Sequence, residues 1–186
     1  MTDSAQGLDL IRVPAATLGA LHRALNEQFG ATEAARALRQ IGLESGDAFY
    51  ERFREWLSEA GAGSLEPDSL SPHDFWSRLS DFFVYLGWGS VRSEVVHKGV
   101  LSLTFANWVE ARLQDGGPGG CYFTTGLIAE ILRRVAGGDL AALEVESESS
   151  QGGKSRIIIG SSAAMDALFA SMREGRSYKD AIAALA

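Results

Sequence analysis

Apolar side chains recur at helical spacing in the first sixty residues. One stripe predicts a helix over about 15–29, and its members are Leu18, Leu21, Leu25 and Phe29. A longer helix is predicted to begin at Thr32 and Glu33, because a hydroxyl and a carboxylate suit a helix N-terminus. Its apolar stripe comprises Leu38, Ile41, Phe49, Phe53, Trp56 and Leu57. Within this helix, Gly42 and Gly46 indicate either a tight helix–helix contact or a contact with a ligand.

Two pairs of short β-like segments predict hairpins further along the chain. Segments 90–97 and 100–105 flank a Lys-Gly turn, and segments 140–149 and 154–160 flank a Gly-Gly turn. Helices are predicted around them over 72–86, over 121–135, from Ser161 or Ser162 onward, and after Ser177. The order of helices, hairpin, helix, hairpin and helix predicts an α+β fold with an antiparallel sheet.

Length and charge narrow the class of protein. The 186 residues predict a single domain, and their formal net charge of −7 disfavours binding to nucleic acid. The single cysteine excludes an internal disulfide bond and a zinc site built from several thiolates of this chain. The sequence shows no signal peptide and no long apolar run, so we expect a soluble cytoplasmic protein.

Aromatic residues are concentrated in one quarter of the chain. Ten of the seventeen lie between positions 75 and 123. Such a cluster suits either an ordinary hydrophobic core or the wall of a pocket for an apolar or planar ligand.

No catalytic constellation is evident in the sequence. Cys121 follows a glycine-rich loop at the start of a predicted helix, where the helix dipole favours a thiolate, but no local base accompanies it. A buried structural cysteine is the simpler interpretation. The three histidines, His22, His73 and His97, are scattered singly. We therefore predict that the protein is not an enzyme and has no cofactor.

Three glutamates alternate along the third β-like segment. Strand periodicity places Glu144, Glu146 and Glu148 on one face of the sheet. They indicate either a solvated face, partly neutralised by Lys154 and Arg156, or oxygen ligands for a hard cation.

Several of these features together resemble the 4-vinyl reductase domain family. They are the Gly-Trp-Gly run at 87–89 before a hairpin, the pattern Cys121-x-Phe123-x-x-Gly126-Leu127-x-Ala129, and Glu146 followed by a glycine turn. The likeness covers about residues 30–160, with 161–186 as a C-terminal helical extension. The small subunits of TRAPP vesicle-tethering complexes share this architecture. The resemblance implies a four-stranded antiparallel sheet from two hairpins, packed against a helical layer.

The resemblance also implies a function and a metal site. Family members bind small molecules in an apolar pocket, as sensors of aromatic hydrocarbons or as accessory proteins of bacteriochlorophyll synthesis. Many hold zinc with three cysteines and a glutamate. Cys121 and Glu146 match two of these ligands, but the other two positions fall at Ser149 and Ile157, which cannot act as thiolates. No metal site is therefore expected here.

The leading hypothesis is a non-enzymatic sensor or carrier domain for a hydrocarbon or aromatic ligand, with its pocket between the sheet and the helix over 72–86. Its predicted ligand-binding residues are Phe75, Phe82, Phe83, Trp88, His97, Phe105, Trp108, Tyr122 and Phe123, with His73 as a further possible polar anchor. The alternatives are a scaffold or protein-interaction subunit and an accessory protein of chlorophyll synthesis. The stripe Met165, Leu168, Phe169 and Met172 packs either on its own sheet or on a second subunit, and we predict a homodimer, with a separate signalling protein as a further partner.

Overall fold

The fold is an α+β arrangement with helices on both faces of one sheet. The structure is a computed structural model that describes residues 13–59, 66–113, 120–148 and 153–185. The helices are α1 (Ala15–Phe29), α2 (Ala31–Glu59), α3 (Pro72–Tyr85), α4 (Val109–Arg112), α5 (Tyr122–Ala136), α6 (Ser162–Arg173) and α7 (Tyr178–Ala183), with a 3-10 turn at Pro67–Ser69. The strands are β1 (Ser90–His97), β2 (Val100–Ala106), β3 (Leu140–Glu148) and β4 (Lys154–Ser161).

The two predicted hairpins join into one sheet. The strand order is β1-β2-β4-β3, and every neighbouring pair is antiparallel. The prediction of an α+β fold with an antiparallel four-stranded sheet is confirmed. None of the helices in the described ranges is long and apolar enough to cross a membrane.

Capping residues set several helix boundaries as predicted. The hydroxyl oxygens of Ser71, Ser161 and Ser177 each accept a hydrogen bond from the backbone three residues later, at the starts of α3, α6 and α7. The predicted cap at Thr32 is wrong. A single residue, Gly30, separates α1 from α2, and its carbonyl accepts from the Ala34 amide, so Thr32 already lies inside the helix.

Each face of the sheet has its own hydrophobic cluster. The larger cluster lies between the sheet and helices α2, α3 and α5. The smaller one joins Val100 and Ile158 to α6 and α7 on the opposite face. Met165 and Leu168 of α6 are buried there, whereas Phe169 is exposed. The apolar stripe of α6 therefore packs mainly on its own sheet. The homodimer stays a prediction. The division of the chain into a core at 30–160 and an extension at 161–186 also stays a prediction.

Glycines allow α2 and α5 to pack with their backbones in contact. A Cβ at Gly42 would collide with the Phe123 carbonyl, and a Cβ at Gly126 would collide with the Arg39 carbonyl. At Gly46 the nearest atoms belong to the Glu130 side chain. The sequence-based interpretation of Gly42 and Gly46 as a tight helix–helix contact is confirmed.

A β-bulge separates the alternating glutamates. The register of β3 against β4 shifts between Glu144 and Glu146, which adds one residue at Val145. Glu144 therefore bonds to Ser155 and the backbone of Cys121, whereas Glu146 bonds to Arg156. The prediction that these carboxylates share one face is wrong, because the bulge resets the alternation that it assumed.

We expect Gly126→Ala to destabilise the protein. Alanine improves helix propensity by about 1 kcal/mol, but its Cβ would force the backbones of α2 and α5 apart, and overpacking of this kind costs about 1–3 kcal/mol or more. A net loss of about 1–2 kcal/mol in the free energy of unfolding is expected by urea denaturation. The control is Gly138→Ala, where the nearest atom is 3.9 Å away. Equal stabilities of the two variants would contradict the proposed role of the glycine contact.

Candidate functional site

The predicted aromatic residues mostly pack against one another. The rings of Phe83, Trp88 and Phe105 lie 5.1, 5.8 and 4.6 Å from Trp108, measured between centroids. Phe123 lies 5.7 Å from Trp88 in the same way. These spacings are typical of offset and edge-to-face aromatic contacts in a filled core.

A buried carboxylate ties this cluster to α5. The Trp108 indole donates to Thr124 Oγ1 at 2.7 Å, and that hydroxyl donates to Glu110 Oε2 at 2.6 Å. Glu110 also accepts from the backbone amides of Phe123 and Thr124, at 2.9 and 2.8 Å. Its charge therefore faces the free N–H groups at the start of α5, where a negative charge is stabilised. Sequence reasoning missed Glu110, because its partners lie thirteen and fourteen residues away.

Cys121 lies at the same helix start, but its thiol is fully buried. Burial raises the pKa of the Cys121 thiol well above its ordinary value, and the nearby charges of Glu110 and Glu144 raise it further. The expectation that the helix dipole would favour a thiolate is wrong, because desolvation and two carboxylates outweigh the dipole. Cys121 therefore contributes to the core as a neutral side chain.

The residues matched to a zinc site are not brought together. Glu146 pairs with Arg156 at 2.7 Å, and Ile157 is buried in the larger cluster. Ser149 lies outside the described residues. Within the described ranges, no group of three or more histidine, cysteine, aspartate or glutamate side chains could hold a metal ion.

The three histidines lie on three different elements of the fold. His22 of α1 approaches Glu110, with Nε2 at 3.3 Å from Oε1, but the two form no hydrogen bond. His73 is exposed at the start of α3, beside Asp74. His97 is half-buried at the end of β1.

An apolar cleft of about 290 Å³ opens between the sheet and the start of α3. Its walls come from the 3-10 turn, α3, α5 and strands β2 to β4. The lining residues are Pro67, Leu70, Pro72, Phe75, Trp76, Gly99, Leu101, Leu132, Val135, Ala136, Leu140, Ile159 and Gly160. None of these residues has a charged side chain, and the only polar side-chain atom among them is the indole nitrogen of Trp76.

Only Phe75, among the nine predicted ligand-binding residues, lines this cleft. Tyr122 lines a second groove, described below. Neither cavity touches the other seven, which are Phe82, Phe83, Trp88, His97, Phe105, Trp108 and Phe123. Their role in ligand binding stays a prediction.

The second groove is polar and lies beside β3. Its volume is about 330 Å³. It is lined by Arg39 of α2, by Gly120, Tyr122 and Thr125 at the start of α5, and by residues 142–147 of β3.

Comparison with solved structures identifies the fold. The phenol-responsive sensory domain of the transcription activator PoxR, solved with phenol, has a TM-score of 0.59 at 17% identity, over 82% of this chain and 76% of that one. Two H-NOX structures have TM-scores of 0.51 at 14% identity. One is a Cs H-NOX mutant with an unnatural amino acid, over 81% of this chain and 75% of that one. The other concerns heme distortion in the H-NOX family, over 82% and 74%. At these identities the likeness establishes a shared fold.

The resemblance to the 4-vinyl reductase domain family and to TRAPP subunits is wrong. No family model matches the chain, and no curated protein matches it. The similar solved structures are the PoxR sensory domain and H-NOX proteins. The residues on which the resemblance rested form a turn, a hairpin and a helix start, and many α+β folds contain these features. In addition, the bulge in β3 separates Glu146 from Cys121.

Glu144 and Glu146 are expected to affect stability with opposite pH dependence. Burial raises the pKa of Glu144 above 4.5, whereas the hydrogen bond from Arg156 lowers the pKa of Glu146 below 4.5. The stability contributed by Glu144 is thus present below pH 4.5 and is lost as pH rises through its folded pKa. That of Glu146 is present above pH 4.5 and is lost as pH falls through its folded pKa.

The measurement is urea unfolding of the wild type, Glu144→Gln and Glu146→Gln between about pH 2.5 and pH 8. The stability of the wild type relative to Glu144→Gln should fall as pH rises. Relative to Glu146→Gln it should rise. Parallel stability curves for all three proteins would contradict the assignment.

Proposed function

We propose that this chain is a non-enzymatic sensor or carrier domain that binds a small hydrocarbon or aromatic molecule in the apolar cleft. The observation that carries the proposal is the cleft itself, a space of about 290 Å³ whose walls carry no charged side chain. An apolar space of this size between packed elements is typical of small-molecule sites.

The size of the cleft limits the ligand and its affinity. A single aromatic ring buries roughly 150 Å², which gives about 4 kcal/mol at ~25 cal/mol per Å². A one-ring ligand is therefore expected to bind with a dissociation constant in the range of about 1 mM, and a larger apolar ligand more tightly.

The chemistry of the lining favours a hydrocarbon over a phenol. The solved PoxR sensory domain contains phenol, and its likeness in fold supports a small-molecule role for this chain. In the present cleft only the Trp76 indole could bond to a hydroxyl through a side chain, and it can only donate. A phenol O–H would lose its bonds to water without finding a side-chain acceptor.

The described residues do not fit a heme. One of the similar H-NOX structures concerns heme distortion. Heme iron is held by histidine, cysteine, methionine or tyrosine, and none of these residue types lines the cleft. Cys121 is buried in the core. His73 follows Pro72 at the start of α3, but it is exposed and is not among the lining residues. We derive no function through a heme group.

A scaffold role is the second candidate, and the rim of the cleft favours it. Val95 is 73% exposed and pairs in the sheet with Leu101, which lines the cleft. An apolar side chain of a partner protein could therefore cover Val95 and insert into the same space.

Filling the cleft tests the proposed function. We expect Ala136→Phe to abolish toluene binding, because Ala136 lines the cleft at the end of α5 and an added ring there would reduce the open volume. The control is Ala170→Phe, an equal substitution at an exposed position of α6 on the other side of the sheet. Binding is measured by titrating toluene and phenol while following the NMR amide signals of Gly99 and Gly160, two residues of the cleft wall.

Saturable shifts with toluene in the wild type and in Ala170→Phe, and their loss in Ala136→Phe, are the expected result. Phenol should bind more weakly than toluene. The absence of saturable shifts, or shifts confined to Trp88 and Trp108, would refute the cleft as the binding site.

A further inference from the structure

The second groove runs along the outer edge of β3. Six consecutive residues of this strand, 142–147, line it. Successive side chains of a strand point to opposite faces, so a cavity beside one face would be lined by alternate residues only. A run of consecutive lining residues therefore means that the groove lies against the backbone edge.

β3 presents this edge at the end of the sheet. Among the described strands it pairs only with β4, and its nine residues contain neither proline nor lysine. Alternate N–H and C=O groups of an edge strand point away from its partner and are open to pairing with another chain. The opposite edge differs, because α3 packs beside β1 and the Ser80 hydroxyl accepts from the Val91 amide at 3.2 Å.

The bulge limits the part of the edge that can pair regularly. It interrupts the register after Glu144, which leaves the segment from Leu140 to Glu144 in regular β geometry. The Glu144 carboxylate accepts from the Cys121 amide and from the Ser155 hydroxyl, both at 2.7 Å, so it is engaged inside the protein.

An arginine on the side of the groove opposite β3 indicates which kind of chemical group could bind there. Arg39 is exposed there, and its guanidinium forms no hydrogen bond or ion pair within the part of the chain that the structure describes. Glu146 in the same groove is already paired with Arg156 at 2.7 Å. Arg39 is therefore the cation of the groove lining without an ion pair among the described residues, and it favours an acidic group opposite.

We propose that the groove binds an extended peptide segment of another protein, which adds a strand to β3 and places an acidic side chain against Arg39. Strand addition uses main-chain hydrogen bonds for affinity and side-chain contacts for specificity. The space of about 330 Å³ lies between β3 and the side chains of Arg39 and Tyr122.

Synthetic hexapeptides of alternating threonine and valine test this proposal on the full chain. One carries a central aspartate, one carries lysine in its place, and a third carries aspartate with all backbone nitrogens methylated. We expect the first to shift the NMR amide signals of Leu143 and Glu144, and to slow hydrogen exchange at whichever of the two N–H groups points away from β4. The methylated peptide should not bind, because it cannot donate main-chain hydrogen bonds.

Arg39→Glu should weaken binding of the aspartate peptide about fivefold or more and reverse the preference toward the lysine peptide. Arg36→Glu is the control, since it reverses a charge on the same exposed part of α2 outside the groove. Three outcomes would overturn the proposal: no binding of the aspartate peptide to the wild type at about 1 mM, equal binding of the methylated peptide, or shifts centred on Gly99 and Gly160. A dimer by light scattering whose β3 amides are protected without peptide would also overturn it.

Discussion

The close approach of α2 and α5 is the constraint on which the rest of the structure depends. Because Gly42 and Gly126 lack side chains, each helix contacts a backbone carbonyl of the other. This contact fixes where both ends of α5 lie. The C-terminal end supplies Leu132, Val135 and Ala136 to the apolar cleft, and the N-terminal end supplies Tyr122 and Thr125 to the groove beside β3. A displacement of α5 would therefore alter both cavities together.

Two carboxylates, one buried and one half-buried, hold the N-terminal end of α5. Glu110 accepts from the amides of Phe123 and Thr124, and Glu144 accepts from the amide of Cys121. Consecutive free N–H groups of the helix thus find acceptors from α4 on one side and from β3 on the other. Burial raises the pKa of the Cys121 thiol, and the same two acceptors raise it further, so the arrangement that anchors the helix also helps to keep this cysteine neutral. The carboxylates and the thiol at this helix start therefore have a structural role.

Local signals predicted most of the elements but not the sites. Serine caps, glycine turns and hydrophobic periodicity each act within a few residues, and they placed α3, α6 and both hairpins. The bulge at Val145 and the capping role of Glu110 depend on partners distant in the sequence, so periodicity alone could not reveal them. The resemblance to a known family failed for the same reason, because its motifs marked local turns and helix starts rather than the packing between them.

The aromatic residues show why composition could not locate the cleft. A large ring that fills space and one that encloses it are the same residue type, and here most of the rings fill it, as around Trp108. The cleft lies where the elements meet through residues with little or no side chain, namely Gly99, Ala136 and Gly160. The open volume therefore exists because these three positions have no side chain or only a methyl group. The apolar side chains around them, such as Leu101 and Ile159, determine which ligands could enter it.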